Sequence, residues 1–200
     1  MNSGRLVVFA APAGGGKSTV IGRLRAAYPT WGFSISATTR SPRPGEVDGR
    51  EYYFLSREEF LRRVEAGEFL EHEEVHGEYY GTLIAPTRER LERGETVIFD
   101  LDVKGALNLK AHFPEALSIF LLPPSREVLR QRLEARKTES RELVERRLSR
   151  ADMELELAPR FDVRIVNDDL DKAVRETEQA ILTFFAQNSA SEKTKSNKPT

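Results

Sequence analysis

Residues 11–18 read Ala11-Pro12-Ala13-Gly14-Gly15-Gly16-Lys17-Ser18. Three glycines, a lysine and a hydroxyl in that order suit the cradling of a polyphosphate. Glycines let the backbone approach a ligand closely and turn its N–H groups inward. Lysine would reach the β- and γ-phosphates, and the serine hydroxyl would sit on a magnesium ion. The usual spacing is G-x-x-x-x-G-K-[ST]. Ala11 stands at its first glycine, the smallest possible departure, so a slightly altered turn is expected and not a lost site. A capped turn with no ligand would use the same residues. What favours nucleotide binding is the setting. Apolar Leu6 to Ala11 precedes the turn, and Val20, Ile21, Leu24 and Ala27 follow at the spacing of one helical face. A helix starting there adds partial positive charge where phosphate would lie.

Further residues could serve a second phosphate. Arg40, Arg43 and Arg50 lie in a turn-rich stretch, with Tyr52, Tyr79 and Tyr80 near them in sequence. Arginines with tyrosine hydroxyls suit a phosphate monoester held by several donors. Ser36, Glu71, Thr82 and Asp102 are hydrogen-bonding groups able to read the edge of a base. Asp100 closes the apolar run Thr96 to Leu101, a suitable support for magnesium. Alternation puts Asp102 on the same side if the strand extends that far; otherwise Asp102 caps the helix beginning at Val103. Two phosphate sites side by side suggest transfer between nucleotides and not simple hydrolysis. The three histidines, His72, His76 and His112, have no spacing that makes a metal site.

The elements that must position these groups are legible from periodicity. Core strands are expected at Leu6–Ala10, Thr96–Leu101, Ala116–Leu122 and Val163–Val166, apolar without alternation and therefore covered on both faces. Helices fall between them: 18–27, 84–91, 103–111, one after Ser125, 141–157 and 170–185. Such alternation predicts an α/β fold, a mostly parallel sheet with helices on both faces. Ligands then bind beyond the carboxyl ends of the strands. A mixed stretch interrupts the pattern, with short strands expected at 32–39, 51–55 and 69–75 and a helix capped by Ser56. The expected organisation is a core of 1–32 and 83–187, a substrate lobe of 33–82, a charged helical segment at about 130–152 and a disordered polar tail of 188–200. Arg130, Arg132, Arg136, Arg141, Arg146, Arg147 and Arg150 crowd the charged segment. A solvated helical pair laced with Glu–Arg contacts would need nothing more.

The whole chain narrows the class. Its 200 residues carry 31 basic and 32 acidic side chains, a net charge of −1. That balance disfavours a general binder of nucleic acid or of anionic membrane. Cysteine is absent, which excludes disulfides and thiolate metal sites. With no long apolar segment and no signal-peptide layout, a cytoplasmic protein is expected, monomer or homodimer.

At this point a resemblance enters. Ser36-Ala37-Thr38-Thr39-Arg40-Ser41-Pro42-Arg43-Pro44-Gly45-Glu46, continued by Asp48-Gly49-Arg50-Glu51-Tyr52, is similar to the signature of bacterial guanylate kinases. Tyr79-Tyr80-Gly81-Thr82, Asp100-Leu101-Asp102 and Ile165-Val166-Asn167-Asp168-Asp169 agree in order and spacing. The likeness covers about residues 4–186. It implies a three-part kinase of core, GMP-binding lobe and lid, moving a phosphoryl group from ATP to GMP or dGMP with magnesium. It implies that Arg40, Arg43, Tyr52 and Tyr80, with Glu46, form the phosphate side of the GMP site. Ser36, Glu71, Thr82 and Asp102 would contact guanine. Lys17 would serve the ATP phosphates, Arg136 and Arg147 would be lid arginines, and Asn167 would lie near the adenine. Lys137 stands where the family has a glycine, and Val103-Lys104 replaces a turn that carries glutamine. Two other readings keep the same fold: a kinase with a sugar-phosphate acceptor, and a non-enzymatic peptide-binding module. The second would tolerate a degraded phosphate loop, which Lys17 and Ser18 do not indicate.

Overall fold

A computed structural model describes residues 4–75, 77–135 and 141–196. In chain order the elements are β1 (Arg5–Ala10), α1 (Lys17–Ala27), β2 (Gly32–Phe33), β3 (Ala37–Thr38), β4 (Tyr53–Phe54), α2 (Arg57–Glu65), β5 (Phe69–Val75) and β6 (Glu78–Leu83). There follow α3 (Ile84–Glu92), β7 (Thr96–Asp100), α4 (Val103–His112), β8 (Leu117–Leu122), α5 (Arg126–Glu134), α6 (Arg141–Glu156), β9 (Val163–Val166) and α7 (Leu170–Ser196).

Five strands form one parallel sheet in the order β2-β7-β1-β8-β9. Its central strand explains its own unbroken apolar run. Leu6, Val8 and Ala10 enter one core with α4, while Val7 and Phe9 enter another with α1 and α7. Both faces are dry, so neither can carry a polar residue. The core sheet, with helices on its two faces, is the architecture the strand pattern predicts.

The second sheet has the order β4-β3-β6-β5 and mixes parallel and antiparallel pairs. The stretch expected as one strand over 32–39 serves both sheets. Gly32 and Phe33 pair with Val97 and Ile98 in the core, whereas Ala37 and Thr38 pair with Gly81 and Tyr80 in the lobe. The passage from core to lobe therefore runs through residues 34–36, because the strand leaves one edge before it joins the next. The strand expected over 51–55 shrinks to Tyr53–Phe54. Glu51 is spent on the preceding turn, where its carboxylate accepts from the Val47 N–H at 2.7 Å.

α5 and α6 pack through Leu129, Leu133, Val144, Leu148 and Ala151, a small core of their own. Much of the expected solvated pairing is present around it, including Arg130–Glu145 at 2.5 Å and Arg126–Asp152 at 3.0 Å. Arg136 and Lys137 lie outside the described residues. α7 continues to Ser196, well past Gln187. The backbone through Ser196 is thus helical where disorder was expected, since alanine, glutamate and lysine propagate a helix that Ile181 and Phe185 have already anchored.

Candidate active site

The glycine-rich turn joins β1 to α1 and lines a cleft of about 530 Å³. Its shape follows from its glycines. Gly14 and Gly16 have φ of 86° and 87°, the left-handed region that glycine enters without steric cost. Gly15 donates to the Pro12 carbonyl at 2.8 Å, and a Cβ there would come within 2.9 Å of the Ala11 methyl. Ala11 is therefore accommodated: its methyl fills space that glycine at 15 leaves open. Gly16 is the N-cap of α1 and offers no side-chain acceptor to the first turn. The helices α2, α4 and α5 are each capped, by Ser56, Asp102 and Ser125. Only α1 among these four presents uncapped N–H groups, and it presents them to the cleft. That is an anion site built from backbone.

Lys17 points across the cleft mouth to the end of β7. Its Nζ is 2.6 Å from Asp100 Oδ1 and also donates to the Leu101 carbonyl. Ser18 is exposed at the start of α1. Among the described residues no three histidine, aspartate or glutamate side chains cluster as a metal site. A hydroxyl and one carboxylate beside a phosphate cradle nonetheless fit magnesium, which keeps waters and takes ligands from phosphate.

Asn167 is buried, 5% exposed, and braces the loop from β9. Its Nδ2 donates to the Gly15 carbonyl at 2.9 Å, and its own N–H donates to Leu122 O at 2.8 Å. A Cβ at Gly16 would collide with its amide. Arg132 completes this chain by donating to Asn167 O at 2.9 Å. Its Nη1 is buried with no partner among the described residues. In the sequence Arg132 is one of a run of arginines, and composition alone does not set it apart.

The remaining candidate groups gather in two clusters, both reached by side chains of β6. In the first, Arg40 Nη2 binds both carboxylate oxygens of Glu46, at 2.9 and 3.0 Å. The guanidinium lies 5.3 Å from the Tyr52 ring centre, and Tyr52 meets Tyr80 edge to face. Hydrogen bonding to Glu46 pushes Arg40 up and, in return, Arg40 holds the Glu46 carboxyl below its usual value, helped by the Arg43 N–H at 2.7 Å. Glu46, expected among the substrate contacts, thus faces two arginines and aims Arg40. The signature's other members knit the turn: Asp48 accepts from the Phe54 N–H at 2.8 Å, and Gly49 has φ of 76°.

The second cluster is Glu71, Thr82 and Asp102. Glu71 and Thr82 are register partners, and the Thr82 hydroxyl donates to Glu71 at 2.7 Å. Two-residue alternation sets Tyr80 and Thr82 on one face of β6, so the strand carries both clusters. Burial pushes the Glu71 carboxyl up, with the charge of Asp102 adding to it. β7 stops at Asp100, so Asp102 does not continue that strand. It caps α4 instead, its Oδ1 accepting from the Gly105 N–H at 2.7 Å. Its Oδ2 faces Arg150 at 3.2 Å. Ser36 lies at the passage between the sheets, in a second cavity that Tyr52 also lines. Arg147 and Arg150 bring α6 to the phosphate-loop cleft.

The comparisons agree with one another. The family model described as guanylate kinase matches residues 3–183. A guanylate kinase of Chlorobium luteolum is 50% identical over 184 residues, 92% of this chain and 93% of that protein. One of Rhodococcus jostii is 51% identical over 175 residues, 86% of this chain and 84% of that protein. The crystal structure of guanylate kinase from Anaplasma phagocytophilum matches with a TM-score of 0.66 at 32% identity, over 92% of this chain and 87% of the other.

Proposed function

The chain belongs to the guanylate kinase family, and from that premise we propose how its residues divide the transfer of a phosphoryl group from ATP to GMP. The enzyme is a phosphotransferase whose products are ADP and GDP. The observation that carries the division of labour is the contrast between an uncapped glycine N-terminus at α1 and side-chain clusters in the lobe.

The N–H groups of residues 14–18 would hold the β- and γ-phosphates of ATP. Lys17 would leave Asp100 for the transferring phosphoryl group, where charge develops in the transition state. Magnesium, when bound, would supply positive charge to the phosphates, and Ser18 and Asp100 would hold it. Arg40, Arg43, Tyr52 and Tyr80 would take the GMP phosphate, with Glu46 aiming Arg40. Glu71 and Asp102 would accept from the guanine N1–H and 2-amino group, and Ser36 and Thr82 would meet O6. Arg147, with Arg136, would close over the reacting phosphates. The acceptor is already an anion at neutral pH, so no general base is needed. Alignment and charge neutralisation carry the rate. dGMP fits the same contacts as a second acceptor. The core is read as 1–32 and 83–187, the acceptor lobe as 33–82 and the lid as about 130–152. No helix among the described residues is long and apolar enough to cross a membrane, and a cytoplasmic setting suits both substrates.

The test is an acceptor panel. With ATP and magnesium, GMP should give GDP at far higher catalytic efficiency than AMP or ribose 1,5-bisphosphate. Preference for the sugar phosphate would overturn the base-reading role of the lobe.

A further inference from the structure

α6 reaches the proposed guanine cluster through a charged contact. Arg150 Nη2 lies 3.2 Å from Asp102 Oδ2, and its Nε lies 2.8 Å from Glu154 Oε1. Asp102 Oδ1 is already bound to the Gly105 N–H. The one carboxylate oxygen outside the helix cap is therefore held by the lid. Asp102 does not stand alone. A Cβ at Gly105 would meet Glu71 Cγ at 3.1 Å and Asp102 Oδ1 at 3.2 Å, so the two carboxylates flank the same point. Arg150 reaches the Asp102 end of this pair. It also lines the phosphate-loop cleft, together with Lys17 and Arg147.

Guanine and Arg150 make the same demand on Asp102. Both are donors, and they compete where guanine approaches the side of Oδ2 that Arg150 holds. The guanidinium is one rigid plane, so it leaves Asp102 by rotation of the whole arginine side chain, and Glu154 lines the same cleft into which it would turn. We propose that Arg150 couples the two substrates: in the ligand-free enzyme it occupies Asp102 Oδ2, and guanine displaces it toward the donor phosphates lining the same cleft. The inference rests on reading Asp102 as a guanine contact.

The geometry makes this a switch and not a lock. The Arg150 and Asp102 side chains are 60% and 46% exposed, so the pair is weak and easily exchanged. A guanidinium meeting a phosphate exchanges this charge-assisted bond for another of the same kind. Coupling of this kind is reciprocal: GMP must tighten ATP binding by the factor by which ATP tightens GMP binding.

The experiment is calorimetry on the full chain with GMP and a non-hydrolysable ATP analogue, each alone and with the other saturating. Wild type, Arg150→Met, Arg150→Lys and Asp102→Asn are compared, with melting curves as a check on folding. In Arg150→Met, GMP alone should bind about two- to fivefold tighter than in wild type, the range expected of an exposed ion pair. The factor by which GMP tightens the analogue should fall by about the same amount. Arg150→Lys should restore part of it, which a merely structural role would not require. Asp102→Asn should weaken GMP. If Asp102→Asn weakens GMP but Arg150→Met keeps the full coupling and the wild-type GMP affinity, the proposal fails while the acceptor reading stands. If Asp102→Asn binds GMP as wild type does, the acceptor reading fails and takes the proposal with it.

Discussion

In the proposed division of labour, the donor and acceptor sites are built from different materials. The donor site is backbone: three glycines, an uncapped helix start and a buried asparagine that fixes the loop by its carbonyl. The acceptor site is side chain on side chain: Arg40 held by Glu46, Glu71 by Thr82, Asp102 shared between a helix cap and Arg150. The difference follows from what each must recognise. A polyphosphate tail is the same on every nucleotide, so amides in a rigid turn suffice. A base edge differs from its neighbours by single donors and acceptors, so only directional side chains can tell it apart. The glycine turn follows the central strand of the core, whereas Glu71 and Thr82 sit on the four-stranded sheet that the chain enters through residues 34–36.

This contrast can be broken most severely at Lys17. Lys17→Ala should lower turnover by roughly a hundredfold or more, the scale of losing one positioned charge in a transition state, with the circular dichroism spectrum unchanged. Steady-state rates and the spectrum, measured together, separate chemistry from folding. Next comes Arg40. Arg40→Ala should raise the KM for GMP by about tenfold or more and leave the KM for ATP alone, since a charge-assisted bidentate donor is lost on one side only. Glu46→Gln should shift the same constant in the same direction by less, because it loosens Arg40 without removing it. Equal losses for both nucleotides would show that the two sites are not separate.

Asn167 sharpens the comparison from the donor side. Asn167→Ala leaves the buried Gly15 carbonyl unpaired, at a cost of about 1–3 kcal/mol in stability, and should raise the KM for ATP more than that for GMP. Thermal unfolding and the two constants test it together. The smallest effect is on the acceptor side and depends on pH. The Glu71 carboxyl titrates above its ordinary value of 4.5 in the folded chain. Between the two values the folded state binds more protons, so stability falls as pH rises through them. Glu71→Gln removes that dependence. It should melt slightly above wild type at pH 7, and the gap should close as the pH falls below 4.5.

The core was legible because its strands carry a pattern that allows few alternatives. Six apolar residues in a row, ended by a glycine-rich turn and followed by a 3.6-residue period, leave little freedom, and β1 and α1 lie where expected. The caps at Ser56 and Ser125 were legible for the same reason, since a serine before a helical period has one local use. The break within 32–39 was not, because Ser34, Ile35 and Ser36 are as compatible with a strand as with a bend; only the distant pairing partners, Val97 and Ile98 for one half and Gly81 and Tyr80 for the other, decide. Asp102 was ambiguous by nature. The same carboxylate can cap and bind, and its sequence context fits both. Arg132 and Arg150 were hidden in a crowd of arginines, where composition cannot distinguish a side chain facing solvent from one facing the cleft.

The central claim is that the lobe reads guanine by its carboxylates while the donor site is indifferent to them. The most direct measurement is the ratio of kcat/KM for GMP to that for AMP in Glu71→Gln and Asp102→Asn under saturating ATP, with the KM for ATP recorded alongside. Each substitution should lower the ratio by about tenfold or more, because guanine donors lose a charged acceptor, and should leave the KM for ATP within about twofold. An unchanged ratio in both variants, with normal melting, would contradict the account and leave Asp102 as a helix cap alone.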